Sequence, residues 1–199
     1  MKNILHIISS PRGDASYSIR LGNAIIDKIT SLHPGSTVKV RNVAQQNLPH
    51  LSASHLDSFF TPKEQWTDSH ASTIRESEEA VAEIQQADII VIGVPLYNFG
   101  MPSALKAWID HIVRSGVTFR YTANGVEGLL KDKKVYVALA SGGIYSHGPM
   151  QFMDSVSPYL KNVFNFIGVT DFEIVRAEGT SMADHMGTAL EKGISSIAV

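Results

Sequence analysis

Three short stretches hold the residue types that could do chemistry. The first, Ser9-Ser10-Pro11-Arg12-Gly13-Asp14-Ala15-Ser16-Tyr17-Ser18, gathers hydroxyls just ahead of a helical pattern. A helix N-terminus carries free N–H donors and a partial positive charge, so Ser10, Ser16, Tyr17 and Ser18 there suit a phosphate. The second, Pro95-Leu96-Tyr97-Asn98-Phe99-Gly100, offers aromatic faces and backbone donors to a flat ring. The third, Ala140-Ser141-Gly142-Gly143, presents N–H groups with little side chain in the way, as stabilising negative charge at a ring edge requires. Each stretch also has a plain structural use. Serine and aspartate are good N-caps, Pro102 is an ordinary first-turn helix residue, and Gly-Gly permits positive φ. Arg12 either touches a phosphate or lies in solvent.

Other chemistries lack their patterns. No Gly-x-Gly-x-x-Gly and no Walker lysine occur, so the dinucleotide and nucleoside-triphosphate fingerprints fail. A phosphate held by hydroxyls and backbone amides suits a flavin mononucleotide. The chain has no cysteine, which removes disulfides, thiolate metal sites and thiol nucleophiles. His50, His55 and His70 are scattered without ligand spacing, His147 and His185 are isolated, and no metal site is expected. His6, inside an apolar run, reads as a core histidine with its hydrogen bonds satisfied. No Gly-x-Ser-x-Gly elbow supports a serine nucleophile.

The elements that must position these stretches alternate. Apolar runs at 3–8, 88–94 and 133–140 read as strands buried on both faces, while 37–43 and 171–177 have the mixed patterning of edge strands. Helical spacing covers about 17–32, 70–86, 102–115, 150–166 and 182–197. Leu21, Ile25, Ile29 and Leu32 form one stripe that His33-Pro34-Gly35 ends, and Gly168 closes the fourth helix. Five strands and five helices in alternation predict a single α/β domain over 1–199, a flavodoxin-like parallel sheet of order 2-1-3-4-5 with helices on both faces. The three stretches follow strands one, three and four, so they converge at the switch in strand order, where such sheets bind ligands. Residues 45–69 lack periodicity and read as a functional or mobile loop.

With 199 residues, 44% apolar and 18% charged, the chain can bury a core without covalent help. A net charge of −2 gives no field for nucleic acid or an anionic membrane. No stretch approaches the roughly 20 apolar residues of a membrane helix, and the N-terminal run is too short for a signal peptide. A cytoplasmic location is expected, in keeping with the missing cysteines.

On these residues the chain resembles the FMN-dependent NADH-azoreductase family of flavodoxin-like quinone and azo-dye reductases. The resemblance runs nearly end to end. Its carriers are Ser9-Ser10 with Ser16-Tyr17-Ser18, Pro95 to Phe99, Leu105-Lys106 with Asp110, and Ser115 to Thr122 continuing through Asn124-Gly125 and Glu127-Gly128-Leu129. Gly142-Gly143-Ile144, Gly148-Pro149, Phe166-Ile167-Gly168 and Ala177-Glu178-Gly179 complete it. The resemblance implies one non-covalent FMN per chain, with NADH or NADPH as donor and quinones or azo compounds as acceptors, in ping-pong two-electron transfer. Flavin N5 carries the hydride, and no catalytic side chain is implied. Ser10 and Ser16 to Ser18 would hold the phosphate, Pro95 to Phe99 one isoalloxazine edge, and Ala140 to Gly143 the other. Members of the family are homodimers, so Phe119, Tyr121 and part of 45–69 would line a partner's pocket. Two departures stand out: Ala140-Ser141 where many relatives have Ser or Thr and then Arg, and Tyr145 where they often have His. The second places Tyr145 among the substrate-binding residues. The competing reading is a non-enzymatic flavodoxin-like electron carrier; such carriers are strongly acidic, and −2 argues against it.

Overall fold

Isoleucine and valine runs too apolar to face water on either side fix the centre of the molecule. A computed structural model describes residues 1–46 and 48–199. In chain order the elements are β1 (Asn3–Ile8), α1 (Tyr17–Leu32), β2 (Thr37–Asn42), α2 (Ala53–Phe60), α3 (Asp68–Thr73), α4 (Arg75–Gln86) and β3 (Ile89–Pro95). There follow α5 (Ser103–Ile112), β4 (Phe119–Thr122), β5 (Gly125–Gly128), β6 (Lys134–Ala140), α6 (Val156–Phe166), β7 (Asp171–Ala177) and α7 (Ala189–Ser195). Five strands form one sheet in the order β2-β1-β3-β6-β7, every neighbouring pair parallel. β3 is buried at all its positions, whereas β2 at the edge is largely exposed.

Alternate strand residues point to opposite sides of a sheet, and two apolar clusters follow that parity. Leu5, Ile7, Ile90, Ile92, Val135 and Val137 join Ile84 of α4, Trp108 of α5 and Phe164 of α6. Ile4, Val91, Tyr136 and Val175 join Leu21, Ile25 and Ile29 of α1 and Leu190 of α7.

The structure corrects several expectations. The strand count holds, but the numbering becomes 2-1-3-6-7 because an antiparallel pair, β4 with β5, intervenes before the fourth sheet strand. α5 stops at Ile112 rather than 115: the Thr118 hydroxyl donates to the Ile112 carbonyl at 2.6 Å and accepts from Arg114 N–H, and Gly116 turns the chain at φ +77°. The helix expected over 70–86 is two, divided at Ile74. The helix expected from 150 starts at Val156, where the Asp154 carboxylate takes the N–H groups of Val156 and Ser157. The last helix is shorter than 182–197, at Ala189–Ser195, after a run of turns from Gly179.

Within 45–69, α2 forms because Ser52 and His55 make a capping box, with His55 Nδ1 accepting Ser52 N–H at 3.2 Å. His70 does the same for α3 with Thr67. Asn47, in that segment, lies outside the described residues. His6 is buried as expected, yet among the described residues its Nε2 has no hydrogen-bond partner. α1 covers it so closely that a Cβ on Gly22 would stand 2.9 Å from that nitrogen. Burial without a polar neighbour pushes the His6 pKa down to about 4.

Candidate functional site

The loops after β1, β3 and β6 meet at the C-terminal edge of the sheet around a cavity of about 270 Å³. Ser10, Ser16, Tyr17, Ser18, Pro95, Leu96, Tyr97, Ala140, Ser141 and Gly142 line it, together with Arg12, Thr180 and Ser181. No lining residue is acidic, which suits an anionic ligand. A second cavity, about 310 Å³, opens beside Asn3, Thr37 and Glu83, at the sheet edge where strands begin.

Each hydroxyl of the first loop has a definable task. Ser9 donates to the Gly93 carbonyl at 2.6 Å, so it ties β1 to β3 and is not free for a ligand. Ser16 is the N-cap of α1; its oxygen accepts Ile19 N–H only at 3.5 Å and lies 3.1 Å from the Ser18 hydroxyl. Ser10 accepts Arg12 N–H at 3.4 Å. These long contacts leave Ser10, Ser16 and Ser18, all buried in the cavity wall, with bonding capacity to spare at a helix N-terminus. Arg12 is exposed, and among the described residues no carboxylate stands within ion-pair distance of it.

The second loop is a tight turn. Tyr97 and Gly100 exchange two backbone hydrogen bonds at 2.9 Å, and Asn98 and Phe99 between them have φ +48° and +63°. Positive φ at both central positions is the type I′ pattern, which asparagine accepts readily and phenylalanine does not. Holding Phe99 there costs about 1–2 kcal/mol, strain of the kind that collects at binding sites. Asn98 and Phe99 form the tip of this turn and are not in the cavity wall.

The third loop is held from behind. The carbonyls of Ser141, Gly142 and Gly143 accept N–H bonds from Thr180, Ser181 and Gly179, and the Ser141 hydroxyl donates to Gly143 O at 2.8 Å. The N–H groups of Gly142 and Gly143 have no hydrogen-bond partner among the described residues and remain as donors. Neither glycine has positive φ, so the turn uses their small size rather than their conformational freedom. A Cβ on Gly143 would stand 2.8 Å from Tyr145 Oη, so Tyr145 folds over this glycine and Gly143 does not line the cavity. The Tyr145 ring meets Phe99 edge-on, centroids 5.9 Å apart, and the two rings form one rim.

Phe119 and Tyr121 are not brought to this cavity. Phe119 is buried against Phe166 at 4.6 Å, and Tyr121 projects from β4, 72% exposed. Thr180 and Ser181 are wall residues that sequence reasoning missed. The available signal was a hydroxyl pair following Ala177-Glu178-Gly179, at the strand end on the same sheet edge. Among the described residues no group of histidines and carboxylates could hold a metal, and no helix is long and apolar enough to cross a membrane.

The family described as having a flavodoxin-like fold matches residues 2–198. The FMN-dependent NADH:quinone oxidoreductase of Aromatoleum aromaticum is 52% identical over 180 residues, covering 90% of this chain and 89% of that protein. The protein of the same name from Herminiimonas arsenicoxydans is 47% identical over 198 residues, 99% of this chain and 97% of that one. Among solved structures, an FMN-dependent NADH-azoreductase from Bacillus anthracis in complex with FMN superposes with a TM-score of 0.85 at 29% identity, covering 98% and 97% of the two chains. An azoreductase from the same species gives 0.87 at 27% identity, covering 98% of each. A chain with this sheet, this three-loop cavity and these end-to-end likenesses belongs to the flavodoxin-like fold family and, within it, to the family of the FMN-dependent NADH:quinone oxidoreductases.

Proposed function

We propose that the chain binds one FMN without a covalent bond and uses it to pass two electrons from NADH or NADPH to quinones and azo compounds in the cytoplasm. The observation that carries this reading is the convergence, at one sheet edge, of an acid-free, hydroxyl-lined helix N-terminus, an apolar wall and two N–H groups without a partner among the described residues. The names of the relatives, and the FMN in the Bacillus anthracis structure, support it. The donor set fits the cofactor. Ser10, Ser16, Ser18 and the first N–H groups of α1 would hold the phosphate, with Arg12 at the rim. Pro95 to Phe99 would hold one ring edge, and Ala140 to Gly143 the other. FMN, when bound, supplies hydride acceptance and donation, chemistry that no side chain of the site offers. The Gly142 N–H, with that of Gly143 just behind it, would stabilise negative charge at this second ring edge. The open side of the cavity would admit NADH and then the acceptor in turn, with Phe99 and Tyr145 as its rim.

On this reading the two apolar clusters are the two helix-covered faces of a doubly wound sheet. A second copy of the chain would close the site, with Phe119, Tyr121 and part of 45–69 lining the partner's pocket. Light scattering at micromolar protein is expected to show a homodimer; a fully active monomer would remove the shared site.

Mixing purified protein, FMN, NADH and benzoquinone while following NADH absorbance tests the activity. Continuous consumption that depends on both FMN and quinone supports the enzyme. FMN binding without NADH consumption would leave the electron carrier, despite its unsuited charge of −2.

A further inference from the structure

We propose that Glu178, just past the end of β7, is a positioning residue that sets Tyr145 at the rim of the cavity and thereby decides which acceptors the site prefers. The inference rests on the flavin-site reading and adds to it a residue that touches neither cofactor nor acceptor. One carboxylate oxygen of Glu178 accepts the N–H of Tyr145 at 2.8 Å and that of Ser146 at 2.9 Å. Among the described residues these are the hydrogen bonds that tie the backbone of 144–147 to the rest of the fold. Charge-assisted bonds of this kind are about twice as strong as neutral ones. The Tyr145 ring is placed by its backbone, over Gly143 and edge-on to Phe99. Release of the backbone therefore releases the ring.

The carboxylate is itself held. Arg176, two residues back on β7, stands 3.5 Å from the same Glu178 oxygen and 2.7 Å from an Asp154 oxygen. Burial opposes ionisation of Asp154, yet the Ser157 hydroxyl and N–H and the Arg176 guanidinium hold its carboxyl below the usual range. Next to Asp154, the Ser155 hydroxyl donates to the Phe99 carbonyl at 2.5 Å. The chain of contacts thus runs from one rim ring to the other, Tyr145 to Glu178 to Arg176 to Asp154, and through Ser155 to Phe99. Both aromatic lips are fixed to one half-buried charge network, with Glu178 bearing the Tyr145 end.

A double-mutant cycle on the FMN-loaded enzyme tests this, reading the ratio of kcat/KM for benzoquinone to that for methyl red. Glu178→Ala is expected to shift the ratio by about tenfold, mostly through acceptor KM, and Tyr145→Ala to shift it the same way. The double variant is expected to go no further than the larger single one, since the two residues act through one contact. Glu178→Gln, which keeps the accepting oxygen, is expected to return the ratio to near wild type. Should Glu178→Ala not fold, Glu178→Asp takes its place in the cycle, its carboxylate being too short to reach both N–H groups. A ratio within about twofold of wild type in the Glu178 variant, or effects that multiply in the double variant, overturns the proposal. Wild-type protein that neither binds FMN nor consumes NADH with benzoquinone overturns instead the functional reading beneath it.

Discussion

Replacing Ser16 by aspartate separates a capping serine from a phosphate-binding one. Ser16 caps α1, but its oxygen accepts Ile19 N–H at 3.5 Å, the long limit of a hydrogen bond. Aspartate caps a helix as well as serine does, and the side chain at this position opens into the cavity. The apo-protein is therefore expected to keep its stability within about 1 kcal/mol. Toward FMN the change is large. A hydroxyl donor is lost, worth about 1.5–3 kcal/mol to a charged acceptor. A carboxylate also arrives within roughly 4 Å of the phosphate, costing about 4 kcal/mol per charge pair at an effective dielectric constant near 20. FMN affinity should fall by about 4 kcal/mol or more, roughly a thousandfold. Riboflavin, which lacks the phosphate, should bind as it does to wild type, within about threefold. Quenching of flavin fluorescence on titration measures both ligands, and urea unfolding of the apo-protein measures stability. Equal losses for FMN and riboflavin, or an FMN affinity within about tenfold of wild type, would refute a phosphate at the α1 N-terminus.

Further outcomes follow from the same geometry. Gly143→Val sets its Cβ against Tyr145 Oη, so it should displace the rim and weaken FMN binding by about 1–3 kcal/mol; a folded variant with unchanged affinity would take this loop out of the site. Tyr145→His should alter acceptor selectivity by about 1–2 kcal/mol, favouring anionic azo dyes as the solution is acidified, and identical wild-type and variant profiles from pH 6 to 8 would make Tyr145 a bystander. His6 has a folded pKa of about 4, below its unfolded value of 6.5, so the unfolded chain binds the proton first. Its contribution is intact above pH 6.5 and is lost as pH falls toward 4. Urea unfolding should show wild type losing about 2–3 kcal/mol more than His6→Leu between pH 7 and 4.5; equal losses would mean that His6 is not the group that titrates.

The sheet was legible because its central strands are apolar at nearly every position, a pattern no exposed element tolerates. The strand pair β4 and β5 was not. Phe119-Arg120-Tyr121-Thr122 and Gly125-Val126-Glu127-Gly128 are too short and too polar to show a period, and their pairing depends on the turn at 123–124. α2 was hidden for a different reason: its start is capped by His55, where sequence rules look for Glu or Gln. The hydroxyl-rich loop, the aromatic turn and the Gly-Gly loop could be picked out from residue types. What each residue does could not. Ser9 and Ser10 are adjacent and chemically identical, but only the fold turns one onto the Gly93 carbonyl and the other into the cavity. Thr180 and Ser181 join the wall through backbone bonds to Ser141 and Gly142, a contact across nearly 40 residues for which the local sequence offers only a hydroxyl pair after a strand end. The left-handed Phe99 runs against its own propensity, so nothing local could foretell it.

The two half-reactions can be separated. FMN-loaded protein is mixed without oxygen with one equivalent of NADH per chain while flavin absorbance is followed, and benzoquinone is added after NADH is spent. NADH alone is expected to bleach the bound flavin, and quinone added with no NADH present is expected to restore it fully. Flavin that NADH leaves oxidised, or that is reduced but cannot pass its electrons to quinone, would rule out electron transfer from NADH to quinone through FMN.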